Sequence, residues 1–250
     1  MEIKSIKKAF DILRTVAGCQ QPASLTELSH ALSVPASTLH HILRVLRQEG
    51  FLHQDHQSRR YSLGYQALIL GEAARRQMAL VGLAVPLMDD LVRRCGETVT
   101  LGVLENDDSV LYIVQRDGTG AMRMNAHPGS RGVLHATASG KLFLAHGDPP
   151  DPLTRLPSPL ASFTPNTITE LADLAKELSL IRRQGYAIDR EERELGMVCV
   201  AAPILNAAGR VESSLAISGP TSRMTGTLLQ ERIEALGQAS DAISRQLGYR

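Results

Sequence analysis

Apolar residues in the first quarter of the chain recur at helical spacing. Ile6, Phe10, Leu13 and Ala17 fall on one stripe, predicting a helix whose buried face they form and which Gly18 is placed to stop. Ser24 stands three residues before Glu27, the spacing of a capping box, at the head of a second stripe, Leu25, Leu28 and Leu32. Ser33-Val34 makes a turn and Pro35 interrupts the chain. Ser37 and Thr38 then offer hydroxyls to the free N–H groups at the start of a third helix. Leu39, Ile42, Leu43 and Leu46 are its inner stripe, and Gly50 ends it. Two short runs, Phe51-Leu52-His53 and Arg59-Arg60-Tyr61-Ser62-Leu63, flank the polar turn Asp55-His56-Gln57-Ser58. They predict a hairpin with Phe51, Tyr61 and Leu63 turned inward and Arg59 or Arg60 outward.

From Gly64 to about Gly82 the chain reads as a helix with little polar surface. Leu68, Ile69, Leu70, Ala73, Ala74, Met78 and Val81 need a cover, and a second copy of the helix in a dimer supplies one. Beyond Leu83 helical and strand patterns mix. Val85–Arg94, Thr137–His146, Thr167–Gln184 and the stretch through Leu229, Ile233, Leu236, Ile243 and Leu247 read as helices. Thr98–Leu104, Val110–Gln115, Ala121–Ala126, Met197–Leu205 and Val211–Ser218 read as strands, with turns at Asn106-Asp107-Asp108 and Asn206-Ala207-Ala208-Gly209. The expected organisation is a head over residues 1–63, a linking and dimerising helix over 64–82, and a mixed α/β domain over 83–250, large enough to enclose a small molecule.

A capped helix, a turn, a second helix and a basic hairpin, in that order, make a winged helix-turn-helix, which lays one helix in the major groove of DNA. Left on the outer face of that helix are Ser37, Thr38, His40, His41, Arg44 and Arg47, donors suited to phosphate oxygens and base edges, with no carboxylate before Glu49. Alone, such a face also describes an ordinary solvated helix; the three-helix order and the hairpin favour DNA. Arg59 and Arg60 at the wing are further candidates for backbone or minor-groove contact.

The chain has 250 residues, 27 of them Lys or Arg and 26 Asp or Glu, a balance unlike that of a bulk polyanion binder. Basic residues nonetheless outnumber acidic ones up to Leu63, as expected of a sequence-specific regulator. Cys19, Cys95 and Cys199 are odd in number and far apart, so no disulfide framework is implied. With no leader segment and no long apolar run, a cytoplasmic protein with no membrane partner is expected. Ser139-Gly140-Lys141 is not a phosphate loop, because His135 stands where the earlier glycine belongs and Leu142 where Ser or Thr belongs. His53, Asp55 and His56 lack a fourth metal ligand and read as solvated turn residues. No metal or cofactor is called for. The competing reading is an enzyme in which His135 activates a Cys199 nucleophile, although no local signature accompanies the pair.

Several groups of residues, in order along almost the whole length, give the chain its resemblance to the IclR family of bacterial transcription regulators. They are Ser37-Thr38-Leu39-His40, Gly50-Phe51-Leu52, Tyr61-Ser62-Leu63-Gly64, Gly96-Glu97-Thr98-Val99, His135-Ala136-Thr137-Ala138-Ser139-Gly140-Lys141, Gly185-Tyr186-Ala187, Asp189 with Glu191-Glu192, Gly196, Cys199-Val200-Ala201-Ala202-Pro203 and Ser218-Gly219-Pro220. The resemblance implies an α+β protein: a winged helix-turn-helix joined by a linker helix to a GAF-like domain that binds a small effector. It implies no enzyme but a repressor or activator that binds a palindromic operator in double-stranded DNA as a homodimer or dimer of dimers. The default effector is an organic or aromatic acid of a catabolic pathway. Carried over by position, effector-site candidates are Met124, Gly132, Ala138, Ser139, Asp189, Cys199 and Ser218, with Ala121 and Ala216 as apolar wall. Ser139 and the N–H groups opening the 137–146 helix suit an anion, whereas Asp189 serves either the ligand or the turn after Ile188. Relatives often carry arginine at the position of His41 and serine at that of Ala216, which implies more reliance on Arg44 and a less polar or roomier pocket.

Overall fold

In the computed structural model, which describes residues 3–106, 108–120, 127–147 and 152–250, contacts divide the chain into two units between Met78 and Ala79. The first holds α1 (Lys4–Gly18), α2 (Leu25–Leu32), α3 (Ala36–Gln48), the hairpin β1 (Leu52–Gln54) and β2 (Tyr61–Leu63), and α4 (Tyr65–Gln77). The capping box forms: Ser24 Oγ accepts from Glu27 N at 3.2 Å, and Glu27 Oε2 accepts from Ser24 N at 2.7 Å. Leu39, Leu43 and Leu46 of α3 are buried against Ile12, Val16 and Leu28, each side chain worth roughly 1.5–3 kcal/mol of removed apolar surface.

Two details of this unit differ from the sequence expectation. The buried stripe of α1 is Ile12 and Val16, whereas Ile6 and Phe10 lie exposed on another face. The helix is apolar on both sides, and only one side meets α2 and α3. In the hairpin, Leu52 pairs with Leu63 and Gln54 with Tyr61; Leu52 and Tyr61 are buried, Phe51 is half-buried and Leu63 faces out. Tyr61 is drawn inward by a two-way backbone bridge to Ala23.

The expected helix over 64–82 is interrupted at Met78, an extended residue. None of α4 is buried, whereas Leu80 and Val81 are claimed by the core of the second unit, so residues 79–82 open α5 (Ala79–Cys95) instead. Pro86 lies inside α5 and removes one helical hydrogen bond without ending it. At its other end α4 is stapled to the turn that follows α3: Gly64 N donates to Phe51 O at 2.7 Å and Gln66 N to Gly50 O at 3.2 Å. A Cβ on Gly64 would fall 2.1 Å from Gly50 O, and Gly50 itself adopts φ +72°, so both positions demand glycine.

The second unit contains β3 (Thr98–Glu105), β4 (Ser109–Arg116), β5 (Arg131–Val133), α6 (Ala138–His146), α7 (Leu171–Gln184), β6 (Ala187–Arg190), β7 (Met197–Leu205), β8 (Val211–Pro220) and α8 (Gly226–Gln246), besides two short 3-10 turns. Its antiparallel sheet runs β5-β4-β3-β8-β7-β6. Thr167 to Glu170 are not helical as expected, because the Thr167 hydroxyl is spent on Glu192 O at 2.6 Å. The strand expected over 121–126 lies outside the described residues. Alternation along the strands sorts side chains by size. Val99, Leu101, Ile188, Val198, Val200, Leu215 and Ile217 pack with α5 and α8, whereas Ala187, Ala201 and Ala216 face α6 and α7.

α6 comes close to the chain that precedes it. An added Cβ at Gly140 would lie 2.4 Å from Leu134 O and 2.5 Å from Val133 O. Gly140→Ala is expected to destabilise the protein by about 3 kcal/mol, the upper end of overpacking in a filled interior. Urea unfolding followed by circular dichroism measures this, and wild-type stability would mean α6 can back away at no cost.

Candidate functional site

On α3 the side chains of Ser37, Thr38, His40, His41, Arg44 and Arg47 are all exposed on the face opposite the buried leucines. The N-cap is Pro35, with no side-chain cap, so Ser37 and Thr38 do not serve the helix end as expected. Their hydroxyls and the first N–H groups of α3 remain available to an anion. Arg47 Nη1 donates to Gln54 Oε1 at 2.8 Å, tying this helix to β1. Arg59 is exposed in the wing turn, at φ +58°. Of the two arginines offered for the outward position, Arg60 is the one engaged within its own unit: it donates to Pro22 O at 2.7 Å and to both Glu27 carboxylate oxygens at 3.1 and 3.2 Å. Glu27 is already pulled below the usual carboxylate range by its capping bonds to Ser24, and Arg60 is drawn to that charge.

The second unit encloses a cavity of about 380 Å³ on the small-residue face of its sheet. The strand register explains its floor. Asp189 of β6 pairs with Cys199 of β7, which pairs with Ser218 of β8; one row along, Ala201 pairs with Ala216, which pairs with Thr100 of β3. The N-terminus of α6 forms one wall. Thr137 caps it, accepting from Gly140 N at 3.0 Å and donating to Val133 O at 2.7 Å, which leaves Ala138 and Ser139 facing the cavity. Gly132 admits the Tyr112 ring, whose oxygen lies 2.7 Å from where a glycine Cβ would sit.

Of the sequence candidates, the structure gathers Gly132, Ala138, Ser139, Asp189, Cys199, Ala216 and Ser218 around this one cavity. Ala121 and Met124 lie outside the described residues. Thr100, Tyr112, Thr137, Arg193 and Met197 also line it and were not expected. Thr98 and Thr100, polar positions in an otherwise apolar strand, were the available signal; nothing in the local sequence marks Arg193.

The cavity's electrostatics are unusual. Burial, reinforced by Glu192, pushes the Asp189 carboxyl up to about 7, although its Oδ1 accepts from Glu192 N at 2.7 Å and Arg193 N at 3.4 Å. Asp189 therefore caps the turn after Ile188, one of its two expected roles, and it also lines the cavity. The hydroxyls of Thr100 and Ser218 are buried with no hydrogen-bond partner. Such groups are costly unless something supplies the missing bond. At the rim the Arg193 guanidinium lies 4.1 Å over the Phe163 ring, and no carboxylate among the described residues pairs with it.

The thiol–imidazole pair of the enzyme reading does not form. Burial pushes the Cys199 thiol up to about 12, the reverse of nucleophile activation. The His135 ring is 2.8 Å from Ala161 O by Nε2 and stacks on Phe163, with no bond to Cys199. Among the described residues no cluster of metal-ligating side chains occurs, and no helix is long and apolar enough to cross a membrane.

Comparison with known proteins covers both units. The helix-turn-helix model of the IclR family matches residues 5–56, and the model for the C-terminal part of bacterial transcriptional regulators of that family matches residues 72–245. The HTH-type transcriptional regulator BhcR of Paracoccus denitrificans is 38% identical, over 97% of this chain and 86% of its own. The crystal structure of the Thermotoga maritima IclR superposes with a TM-score of 0.79 at 31% identity, covering 99% of this chain and 100% of that one. An IclR homologue from Microbacterium hydrocarbonoxydans, solved with 4-hydroxybenzoate, gives a TM-score of 0.84 at 25% identity, covering 97% and 98%.

Because folding raises the Asp189 carboxyl from 3.8 to about 7, its stabilising contribution is complete below 3.8 and is lost as pH rises through 7. Wild type is expected to gain thermal stability between pH 8 and pH 5, and Asp189→Asn to lose most of that gain and melt higher than wild type at pH 8. Calorimetric melting across this range tests it; parallel curves for the two proteins would remove Asp189 as the titrating group.

Proposed function

The chain belongs to the IclR family of bacterial transcriptional regulators, and from that premise we propose that it reads a partly palindromic operator through α3 and its wing, under the control of an organic or aromatic acid held in the cavity of the second unit. As a member of this family it is an effector-controlled DNA-binding regulator and not an enzyme. Residues through Leu63 are the reading head, α4 the connector, and residues from Ala79 the effector domain. The observation that carries the reading is the exposed face of α3, where Ser37, Thr38, His40, His41, Arg44 and Arg47 all present donors and no carboxylate intervenes. Arg44 is the principal phosphate contact, since Arg47 is shared with Gln54 and Arg60 with Glu27.

For the effector, support comes from the aromatic acid carried by the Microbacterium homologue and from the cavity's own chemistry. The α6 N-terminus at Ala138 and Ser139 holds the carboxylate, and a hydroxyl or ring substituent meets Thr100, Ser218 and Asp189. Coupling between effector and operator of ~1–3 kcal/mol gives a several-fold to hundredfold change in DNA affinity.

A homodimer is the assembly we infer. Tyr65, Leu68, Ile69 and Leu70 of α4 and Ile6 and Phe10 of α1 are exposed apolar side chains, Tyr65 at 84% and Leu68 at 69%. Surfaces of this kind mark contacts, and two-fold pairing supplies the second half-site that a palindrome needs. Operation on chromosomal DNA places the protein in the cytoplasm.

A gel shift on the DNA upstream of its own coding region, with and without 4-hydroxybenzoate and related acids, tests the whole reading; no retained fragment in any condition would overturn it. Arg44→Ala is expected to weaken binding and lower the salt slope by about one unit, as one phosphate contact is lost. Sedimentation should give twice the mass of the chain or a higher even multiple, and Leu68→Asp should reduce it, whereas a monomeric wild type would refute the pairing.

A further inference from the structure

Lys141 is among the largest side chains with no exposure at all. It sits on α6 two residues after Ser139, on the side away from the cavity lining, and is held by carboxylates from two other elements. Its Nζ lies 2.5 Å from Glu192 Oε1 and 3.2 Å from Glu177 Oε1 of α7. Glu192 is itself 4% exposed, and its second carboxylate oxygen has no hydrogen-bond partner. One cation thus faces a buried carboxylate, Glu192, and a half-buried one, Glu177, before Asp189 is counted. Stability alone does not explain such a group, because a buried ion pair seldom outperforms well-packed apolar residues and an orphaned carboxylate oxygen is a cost.

The cluster bears on the cavity through one short turn. Glu192 N donates to Asp189 Oδ1, and Arg190 N lies 3.3 Å from Glu192 Oε1, the same oxygen that Lys141 holds. The far side of the turn is anchored by Thr164 and Thr167, whose hydroxyls donate to Glu191 O and Glu192 O at 2.6 Å each. Asp189 and Arg193, at either end of this turn, both line the cavity.

We propose that Lys141 is a positioning residue for the effector site: gripping Glu192 from beneath, it fixes the turn that presents Asp189 and Arg193 to the ligand. This rests on the cavity being the effector site. The groups facing Asp189 are Glu192 and Arg193 from its own turn, Lys141 from α6, Cys199 from β7 and Tyr112 from β4. Glu192 pushes the Asp189 carboxyl up and Lys141 pulls it down, against a larger upward push from burial. An anionic effector beside Asp189 is repelled unless that carboxyl carries a proton, so the Lys141–Glu192 pair also sets the pH range in which the acid binds.

The test needs no effector. In the full-length protein, the backbone amide resonances of Glu192 and Arg193 report titration of the carboxyl they donate to, and in wild type they should move together with a midpoint near 7. Glu192→Gln should lower that midpoint and the charge-matched double variant Lys141→Met/Glu177→Gln should raise it, each by at least ~0.5 pH unit. Lys141→Arg should restore it. A purely structural role would shift both variants in the same direction or neither, and either result overturns the proposal. Should the double variant fail to fold, Glu192→Gln decides, an unmoved midpoint being fatal. A calorimetric arm uses 4-hydroxybenzoate, whose affinity should fall at least about tenfold in the double variant, the scale of losing an outer support behind a ligand-holding group. A wild type that ignores this acid counts against the proposed effector class and not against Lys141, which the titration settles separately.

Discussion

The second unit depends on the unequal faces of its sheet. A strand must send alternate side chains to opposite sides, and here the two sides are written in different alphabets. Branched residues such as Val99, Leu101, Val200, Leu215 and Ile217 fill one side and bind α5 and α8 into a dense core. Alanine, serine, threonine, cysteine and one aspartate make up most of the other across β3, β6, β7 and β8, with Tyr112 of β4 and Met197 as large exceptions at its margin. Small side chains cannot span the gap to α6 and α7 by themselves, so volume remains where those helices diverge from the sheet. The cavity is therefore a by-product of composition at every second position, and its polar floor comes from the same choice.

Polarity in that hollow is arranged to be incomplete. α6 brings the positive end of its backbone dipoles and two N–H groups, while Thr100 and Ser218 hold hydroxyls with nothing to bond. A purely apolar guest would leave those hydroxyls stranded. As the proposed effector site, the hollow would select by the penalty on wrong ligands as much as by attraction to the right one. On α3 the opposite holds: its polar side chains are exposed, and in the proposed reading they would gain from DNA mainly by displacing counterions.

How much of this was legible beforehand follows from periodicity. The cap at Ser24 and the stripe of α3 were readable because a single apolar face leaves no choice. α1 was misjudged because Ile6 and Phe10 are as apolar as Ile12 and Val16, and one chain cannot say which of two greasy faces its partners will cover. β5 and β6, with three and four residues, are too short for alternation to register. The break at Met78 carries neither glycine nor proline. Gly132, Asp189, Cys199 and Ser218 were placed by family resemblance rather than by spacing, because strands distant in sequence meet only through sheet order. In the sequence Lys141 belongs only to an incomplete phosphate loop; its burial depends on Glu177 and Glu192, which lie far along the chain.

The Gly50–Gly64 contact has a mechanical meaning. With no room for a methyl group between them, the turn that follows α3 and the start of α4 are held together as one piece, and a side chain at either glycine would have to pry them apart.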